Sequence, residues 1–503
     1  GGGATGLGIA VDAATRGYNV ALLESNDFAK ATSSRSTKLV HGGVRYLAQG
    51  DVGLVLEALH ERGLLHKNAP HLVKDQQFII PCYNWWDAPM YTIGLTMYDI
   101  LAGKLSLGRS LYKSIKSTVK LLPTIKKKGL KGGVLYHDGQ FDDSRLAINL
   151  AQTAAENGAA VVNYMQVVSL TKDSNGNICG VNASDMTNDD KYALKAKCVI
   201  NATGVFVDSI LQMDEPKARH IVRPSQGVHI VVNRSFLSGD DAIMIPKTDD
   251  GRVLFAVPWH NKVVIGTTDT VREHPQLEPV ALEEEVDFIL RTAERYTENK
   301  ILRSEVLSVF AGLRPLAAPK TDGGSTKEIS RRHKIIVSAS KLITITGGKW
   351  TTYRRMAQDT IDEAIKISLL EPSKCVSSTL KIHGHKPTSS FSDWFYVYGS
   401  DGDAIKEMIA DNPQLGERLH PDYEFLTAEI IWSVRNEMAL TIEDILARRL
   451  RLLFIDARAA QQVAPKVAEV MALEMGKDKL WIESQLSEFM TISKHFILED
   501  TVS

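Results

Sequence analysis

The apolar and polar positions along the chain alternate between helix-like and strand-like periods. Residues 7–16 carry apolar side chains at helical spacing, and residues 19–24 form a short apolar run that ends in an acid. Short alternating runs from residue 219 to 270 predict an antiparallel sheet. Residues 371–387 contain Pro, Ser and Gly and predict a linker, and the chain beyond it has mostly helical periodicity. The pattern therefore predicts an α/β protein that ends in a helical region.

The composition is that of an ordinary globular protein and excludes several classes. The 503 residues are 44% hydrophobic and 24% charged, which excludes collagen-like, disordered and coiled-coil proteins. Lys and Arg total 59 against 60 Asp and Glu, and this balance argues against a nucleic-acid binder. The four cysteines, Cys82, Cys179, Cys198 and Cys375, lack metal-binding spacing. We therefore expect no metal site and a reducing compartment, the cytoplasm.

The first residues have the spacing of a dinucleotide-binding turn. Gly1, Gly3 and Gly6 fit GxGxxG, and a predicted helix and strand follow them. The helix N-terminus would face phosphates, and Glu24 at the strand's end could bind ribose hydroxyls. The alternative is a glycine-rich turn in another α/β protein. The strand that should precede such a turn is missing, so we expect that the natural chain begins earlier.

Four further stretches predict contacts to the same ligand. Residues 31–38 are rich in hydroxyls and suit a loop beside a diphosphate, although a solvated loop is the alternative. The paired glycines at 42–43 would let a planar ring approach the backbone. A strand runs into small residues at 201–204, and another runs into the glycines at 347–348 and then a helix. Each stretch is weak evidence by itself.

A basic segment follows in the second hundred residues. From residue 100 to 137 there is no Asp or Glu, and apolar residues interleave with the cations. These cations are Lys104, Arg109, Lys113, Lys116, Lys120, Lys126, Lys127, Lys128 and Lys131, and the apolar residues are Leu111, Tyr112, Ile115, Val119, Leu121, Leu122 and Ile125. Such a segment, 104–131, could lie on an anionic lipid surface. A solvated helix and loop is an equal alternative, and we expect no nucleic acid here.

The stretches GGGATGLGIAVDAATRG, ATSSRSTKLVHGGVRYL, GVHIVV, VIGTTDT, GLRPL and GGKWTTYR occur in that order. In this order they resemble the FAD-dependent, quinone-linked glycerol-3-phosphate dehydrogenase family over almost the whole chain. One departure is Gln226, where many relatives carry Lys. The run EMALTIEDILARR, residues 437–449, also resembles the family's helical domain, and we interpret it as a helix of a small accessory domain.

The resemblance implies a fold in three parts. A glutathione-reductase-like, Rossmann-type FAD-binding domain would comprise residues 1–75, 140–220 and 325–370. A mixed-sheet substrate or cap domain would comprise residues 76–139 and 221–324, and a helical C-terminal domain residues 386–503. FAD would contact Gly1, Gly3, Gly6, Glu24, Ser33, Ser34, Gly42, Gly43, Val167, Ala202, Thr203, Gly204, Gly347, Gly348, Thr351 and Thr352.

The resemblance also implies the reaction, which is oxidation of sn-glycerol 3-phosphate to dihydroxyacetone phosphate. Hydride would pass from C2 to flavin N5, and Arg45, Tyr46, Arg314, Arg331 and Lys349 would bind the substrate. The catalytic residues would come from His229, His41, Lys349 and Arg314. Either histidine could take the proton of the C2 hydroxyl, and Lys349 could stabilise the alkoxide or act as base. We expect Pro315 to hold Arg314 on a stiff turn.

The family resemblance further implies membrane quinone as electron acceptor. The enzyme would then be cytoplasmic and peripheral on the inner face of the cell membrane, and a homodimer is possible. The leading alternative is a glycerol-3-phosphate oxidase that uses oxygen and releases peroxide. Another alternative is an amine or amino-acid oxidase of the same fold, which would have fewer cations around the flavin ring. A further alternative, a flavin-binding scaffold without turnover, would not need His229, Arg314 and Lys349.

Overall fold

The computed structural model describes residues 1–48, 50–248, 251–317, 333–387 and 390–499. Its helices are α1 (Ala4–Thr15), α2 (Val44–Ala48), α3 (Val52–Asn68), α4 (Asp87–Ala102), α5 (Ile115–Leu121), α6 (Asp143–Glu156), α7 (Val207–Asp214), α8 (Glu283–Tyr296), α9 (Tyr353–Lys366), α10 (Asp401–Asp411), α11 (Thr427–Asn436), α12 (Leu452–Ile455), α13 (Ala457–Met475) and α14 (Lys479–Ser493).

The strands form one large mixed sheet and several small ones. They are β1 (Ala21–Leu23), β2 (Leu39–Val40), β3 (Val73–Cys82), β4 (Leu111–Lys113), β5 (Gly132–Phe141), β6 (Ala160–Val162), β7 (Met165–Lys172), β8 (Ile178–Asp185), β9 (Lys191–Lys195), β10 (Ile200–Asn201), β11 (Val222–Asn233), β12 (Ala242–Ile245), β13 (Leu254–Trp259), β14 (Lys262–Gly266), β15 (Thr270–Val271), β16 (Val306–Ala317), β17 (Lys334–Val337), β18 (Ile343–Thr346), β19 (Arg418–His420) and β20 (Tyr423–Leu426).

Short parallel strands and small-residue helices build the part that carries the glycine turn. β1 pairs in parallel with β6, and β10 pairs in parallel with β18. Helix α1 is buried along most of its length and packs on α6 and α9. A Cβ at Gly8 would lie 2.8 Å from the ring of Tyr353 on α9, so a glycine is needed for this close packing. The α/β expectation is confirmed.

The ten-stranded mixed sheet is organised around the long antiparallel pair β11 and β16. The prediction that Pro315 holds Arg314 on a turn is wrong, because residues 311–316 lie inside β16. Pro315 is tolerated there because it stands opposite Pro224, and neither residue has an N–H to donate across the ladder. Arg314 therefore projects from a strand, opposite Ser225, and not from a turn.

The C-terminal region packs helices α11–α14 around an apolar core and adds the β19–β20 hairpin, whereas α10 places Ile405 in the core around α1 and α6. Residues 437–449, predicted as a helix of an accessory domain, are helical only from residue 442, and their assignment to such a domain stays a prediction. They include a π-helical turn, Asp444–Arg449, whose residues are buried. We name as the ionic layer the buried residues Asp27, Arg145, Glu437, Arg448 and Arg449, which join this region to the segments around α1 and α6.

The domain limits stay a prediction. The limit between residues 324 and 325 lies outside the described residues. β2 at residues 39–40 pairs with β5 of the large sheet, so the N-terminal segment contributes to the predicted cap as well.

Candidate active site

The glycine turn leaves its backbone bare where a dinucleotide would lie. A Cβ at Gly6 would be 1.8 Å from the carbonyl oxygen of Gly1, and a Cβ at Gly3 would be 3.0 Å from Ser33 Oγ. Gly1 itself lies against the backbone of Ala202 and Thr203, at 3.0–3.1 Å from a built Cβ. The glycine turn at residues 1–6 and the small residues at 201–204 are therefore in direct contact. Residues this small at the start of α1 fit a pyrophosphate.

Glu24 and Ser33 accept hydrogen bonds from backbone N–H groups of the glycine turn. Glu24 Oε2 accepts a hydrogen bond from Gly2 N at 2.5 Å, and Oε1 accepts from Asn26 N at 3.0 Å. Ser33 Oγ accepts from Ala4 N at 2.9 Å, which caps the first turn of α1. The carboxylate is thus held at the end of β1, where the fold places a ribose.

The remaining predicted cofactor residues occupy different positions around this turn. Gly204, Gly347 and Gly348 have φ of 62°, 78° and 76°, conformations that favour glycine. Thr351 accepts a hydrogen bond from His41 N at 3.2 Å, which joins the third glycine segment to the 41–43 loop. Val167 lies on β7, two residues past Met165, whose N–H donates to Glu24 O at 2.7 Å. Ser34 is buried behind the loop.

A cleft of about 230 Å³ opens where β11 and β16 meet these segments. It gathers predicted residues that are far apart in sequence. Its walls include His41, Tyr46, His229, Arg314, Gly347, Gly348, Lys349 and Thr351.

His229 is buried at the wall of the cleft and is held from two sides. Its Nε2 lies 2.9 Å from Thr37 Oγ1, and its ring stacks on Phe310 at 4.9 Å between centroids. Burial lowers its pKa well below 6.5, and the charges of Lys38 and Arg314 lower it further. Nδ1 is buried and has no hydrogen-bond partner within the described ranges. The imidazole is therefore neutral at physiological pH.

The guanidinium of Arg314 lies over the backbone of Gly227, which has no side chain. Its Nη2 donates to Thr267 Oγ1 at 3.0 Å, and Nη1 is 3.5 Å from Asp269 Oδ1. A Cβ at Gly227 would lie 2.3 Å from Nη2, so this glycine makes room for the guanidinium. About a quarter of the side chain, 27%, remains exposed toward the cleft. The fork is thus held by a hydroxyl and a carboxylate and is still reachable by an anion.

Lys349 and Tyr46 meet on another wall. Lys349 Nζ lies 4.1 Å from the centre of the Tyr46 ring, a cation–π contact. Gly43 has φ 79°, and a Cβ there would be 2.5 Å from Tyr46 and 3.6 Å from Nζ. The neighbouring Gly42 N donates to Tyr98 Oη at 2.7 Å. The paired glycines thus allow an amine and a phenol to approach the same loop.

Two predicted substrate residues have no described position in the cleft. Arg331 lies outside the described residues, and for Arg45 only the backbone, within α2, is described. Their roles stay a prediction.

Several residues around the flavin loop, 33–38, were missed from the sequence. Asp143 accepts from Ser36 Oγ at 2.7 Å, from Lys38 Nζ at 2.8 Å and from Arg451 at 3.1 Å. Lys38 is fully buried, and burial lowers its pKa to about 8 although Asp143 opposes this shift. Thr37, the partner of His229, lies inside this clamp. The pairing of Asp143, the first residue of α6, with Arg451 is not visible in the sequence.

Family models match both parts of the chain. The "FAD dependent oxidoreductase" model matches residues 1–354, and the "C-terminal domain of alpha-glycerophosphate oxidase" model matches residues 338–480. The mitochondrial glycerol-3-phosphate dehydrogenase SDP6 of Arabidopsis thaliana is 39% identical over 99% of this chain and 85% of its own length. The human mitochondrial glycerol-3-phosphate dehydrogenase is 38% identical over 97% of this chain and 71% of its own length. The chain belongs to the FAD-dependent glycerol-3-phosphate dehydrogenase family.

Solved structures agree with this assignment. The crystal structure of the glycerol-3-phosphate dehydrogenase from Bacillus halodurans, complexed with FAD, is 29% identical, with a TM-score of 0.81 over 100% of this chain and 95% of that chain. The L-α-glycerophosphate oxidase of Mycoplasma pneumoniae, 17% identical with a TM-score of 0.56 over 72% of this chain and 92% of that chain, shares the fold. As in the rest of the dehydrogenase family, the cofactor is FAD, and the bare backbone of the glycine turn fits it.

Proposed function

We propose that the cleft oxidises sn-glycerol 3-phosphate to dihydroxyacetone phosphate. The observation that carries this proposal is the meeting of Arg314, Lys349, Tyr46 and a neutral His229 in one cleft beside Gly347 and Gly348. FAD, when bound, supplies the two-electron acceptor for the hydride from C2. The names of the relatives support the same substrate.

The cations recognise the phosphate in this proposal. The Arg314 guanidinium presents parallel N–H donors to two phosphate oxygens, and Lys349 adds a point charge. Thr267 and Asp269 hold the guanidinium in place before substrate arrives, so little orientational freedom is lost on binding. We propose that Arg45, Arg331 and Tyr46 complete this site.

The proton of the C2 hydroxyl needs an acceptor when the hydride leaves. His229 is the residue we propose, because its lowered pKa keeps it in the neutral form that can accept a proton. Its location in an apolar stack with Phe310 keeps water away from the ring. His41 shapes the loop through Thr351, and Lys349 stabilises charge that develops on the substrate oxygen.

We propose membrane quinone as the electron acceptor and a lipid surface, the inner face of the cell membrane, as the location. Within the described ranges no helix combines the length and the apolarity that crossing a bilayer requires. The basic segment supports surface binding, but part of its predicted apolar face is wrong: Leu122 and Ile125 are fully buried. Leu111, Tyr112 and Ile115 are exposed.

The stronger apolar surface belongs to α4 and was missed from the sequence. We name as the α4 apolar face the residues Trp86, Met90, Ile93, Met97 and Ile100, each of which is at least half exposed. Their three- and four-residue spacing puts them on one side of the helix. Lys131 Nζ lies 4.7 Å from the ring centre of the neighbouring Trp85, so a cation borders the face. This combination suits an anionic bilayer.

The substrate is tested with full-length protein and a soluble dye as acceptor. We expect dihydroxyacetone phosphate to form from sn-glycerol 3-phosphate and not from glycerol, which lacks the phosphate. Equal rates with glycerol would show that the cleft does not recognise the phosphate group. With oxygen as the only acceptor, rapid peroxide release would replace the quinone proposal by an oxidase.

The lipid surface is tested by vesicle flotation. Ile93→Ser with Ile100→Ser should weaken binding at every salt concentration, because apolar insertion is insensitive to salt. Neutral replacements of Lys126, Lys127 and Lys128 should weaken binding only to anionic vesicles at low salt. Unchanged flotation of both variants would contradict this location.

A further inference from the structure

Tyr98 connects helix α4 to the loop of the paired glycines. The residues that α4 buries are Leu95, Tyr98 and Ala102, of which Tyr98 carries a hydroxyl. Its oxygen accepts a hydrogen bond from Gly42 N at 2.7 Å. Tyr98 is only 1% exposed, so water does not compete for this contact. The backbone N–H of Gly42 is thus held by a side chain that lies 56 residues away in the sequence.

A buried carboxylate fixes the direction of this hydrogen bond. Tyr98 Oη lies 2.8 Å from Asp138 Oδ2, and Asp138 Oδ1 accepts from Arg62 Nη1 at 2.8 Å. Burial, with the charge of Asp138, holds the pKa of Tyr98 well above its usual 10, so the phenol keeps its proton. This one hydrogen points to Asp138, which leaves the oxygen lone pairs for Gly42 N–H. Arg62, Asp138 and Tyr98, each at most 3% exposed, therefore form a fixed chain that ends at the loop.

The loop has no space for a side chain where it meets this chain of hydrogen bonds. A Cβ at Gly42 would lie 2.6 Å from Tyr98 Oη and 2.7 Å from the Leu59 side chain on α3. Position 42 therefore needs a glycine because of the protein side chains packed against it. The contact of Gly42 to flavin stays a prediction.

The next residue of the loop borders the active-site cleft. A Cβ at Gly43 would lie 2.5 Å from the Tyr46 ring and 3.6 Å from Lys349 Nζ. Tyr46 N donates to Gly43 O at 2.8 Å, and Lys349 Nζ lies over the Tyr46 ring. A displacement of Gly42 would therefore move the backbone against which Tyr46 and Lys349 meet.

We propose that Tyr98 is a positioning residue for the oxidation of glycerol 3-phosphate, because it holds the 42–43 loop and with it Tyr46 and Lys349. The proposal rests on the function proposed above. Tyr98 acts through the loop and takes no part in the transfer of hydride or proton. Arg314 projects from β16 and not from this loop, so phosphate binding depends less on Tyr98 than the chemical step does.

The test compares Tyr98→Phe with Tyr423→Phe in the full-length, FAD-loaded enzyme. Tyr423 is the matched control, since it is also buried, donates to the carboxylate of Asp456 at 2.7 Å and lies outside the lining of the cleft. Anaerobic flavin reduction at saturating glycerol 3-phosphate, measured per bound FAD, should be about tenfold slower in Tyr98→Phe and unchanged in Tyr423→Phe. KM should change by less than about twofold in both variants.

Hydrogen exchange gives a second readout that needs no turnover. Gly42 N–H loses its acceptor in Tyr98→Phe, so amide exchange in residues 39–46 should become faster, whereas Tyr423→Phe should match the wild type. Denaturant unfolding should show similar losses of stability for the two variants, since each removes one buried hydroxyl. Gly42→Ala should also slow flavin reduction, and adding Tyr98→Phe to it should slow the reaction no further, because both changes displace the same loop.

The outcomes separate this role from the function on which it rests. If Tyr98→Phe reduces flavin as fast as Tyr423→Phe does, or exchange in residues 39–46 is unchanged, Tyr98 does not position the loop and the proposed function stands. A raised KM with unchanged kcat would also contradict the positioning role. If glycerol 3-phosphate does not bleach the flavin of the wild type, the substrate proposal fails and the role of Tyr98 fails with it.

Discussion

The active-site cleft and the ionic layer use the same types of residue in opposite ways. In the ionic layer Arg449 donates to both oxygens of Asp27 at 2.7 and 2.9 Å, and Arg145 donates to both oxygens of Glu437 at 2.8 and 2.6 Å. These side chains are at most 2% exposed. In the cleft, Arg314 is more than a quarter exposed and meets Asp269 only at 3.5 Å.

This difference in exposure distinguishes charged groups that stabilise the fold from charged groups that can bind a ligand. A buried charge that already has a bidentate partner presents no accessible donor to a substrate. Arg314 keeps about a quarter of its side chain accessible, so a phosphate can reach its N–H groups. Charge clusters in this protein are therefore distinguished by how exposed their side chains are.

The largest effect is expected for Asp27→Asn in the ionic layer. Removing this charge leaves Arg448 and Arg449 buried without their shared carboxylate, which should cost about 3–5 kcal/mol in the free energy of unfolding. Denaturant unfolding measures this loss. The KM of the folded fraction should not change. An altered KM with unchanged stability would show that Asp27 serves the active site and not the fold.

The same carboxyl sets a pH window for stability. Burial would raise its pKa, but Arg449 and Arg448 overcome this and lower the pKa of Asp27 to about 2, from an ordinary value of 3.8. Its contribution is present above pH 3.8 and is lost as pH falls toward 2. The acid-induced loss of stability between these values should be smaller in Asp27→Asn than in the wild type.

Arg314→Ala should have the next largest effect, now on function. Loss of the fork should raise KM for glycerol 3-phosphate about a hundredfold or more, and Arg314→Lys should recover only part of it. FAD content and unfolding should stay at wild-type values. Arg234→Ala, which removes a surface arginine paired with Asp240 at 2.7 Å, is the control. An unchanged KM would exclude Arg314 from the phosphate site.

Gly227→Ala tests the space beneath the guanidinium. The new Cβ would lie 2.3 Å from Arg314 Nη2, so the guanidinium must shift, and we expect KM to rise about tenfold. Gly94→Ala, where no atom lies within 4 Å, should leave KM unchanged. Equal behaviour of the two variants would show that the position of Arg314 is not critical.

The smallest effect is a shift of a pH profile. If neutral His229 is the base, activity should not fall on its account as pH decreases to 6.5, because its pKa lies well below that value. Lys38→Met removes one of the charges that lower this pKa, so the acidic limb of kcat/KM should move to higher pH. A limb that stays in place would argue against His229 as the base.

The sequence predicted the parts of the site that local motifs carry. The glycine turn, the 42–43 and 347–348 glycines, His229 and Arg314 could be found because small residues and chemistry-bearing side chains stand in recognisable runs. The strand around Arg314 was missed because Pro315 indicates a turn locally, and only the pairing with Pro224 makes a strand possible.

Long-range pairing is what the sequence could not supply. Arg451 and Asp143 contact each other across 308 residues, and Arg449 and Asp27 across 422. No local period predicts such partners, so the ion pairs of Glu437 with Arg145 and of Arg449 with Asp27 could not be found from the sequence. The α4 apolar face was missed because exposure depends on what packs beside a helix.

In the function proposed above, this cleft passes electrons from glycerol 3-phosphate to FAD. The most direct measurement mixes the full-length, FAD-loaded protein anaerobically with sn-glycerol 3-phosphate and follows the flavin absorbance. We predict rapid bleaching in the wild type, bleaching in Arg314→Ala only at much higher substrate concentration, and slow bleaching in His229→Asn. A yellow protein that substrate never bleaches would contradict the claim.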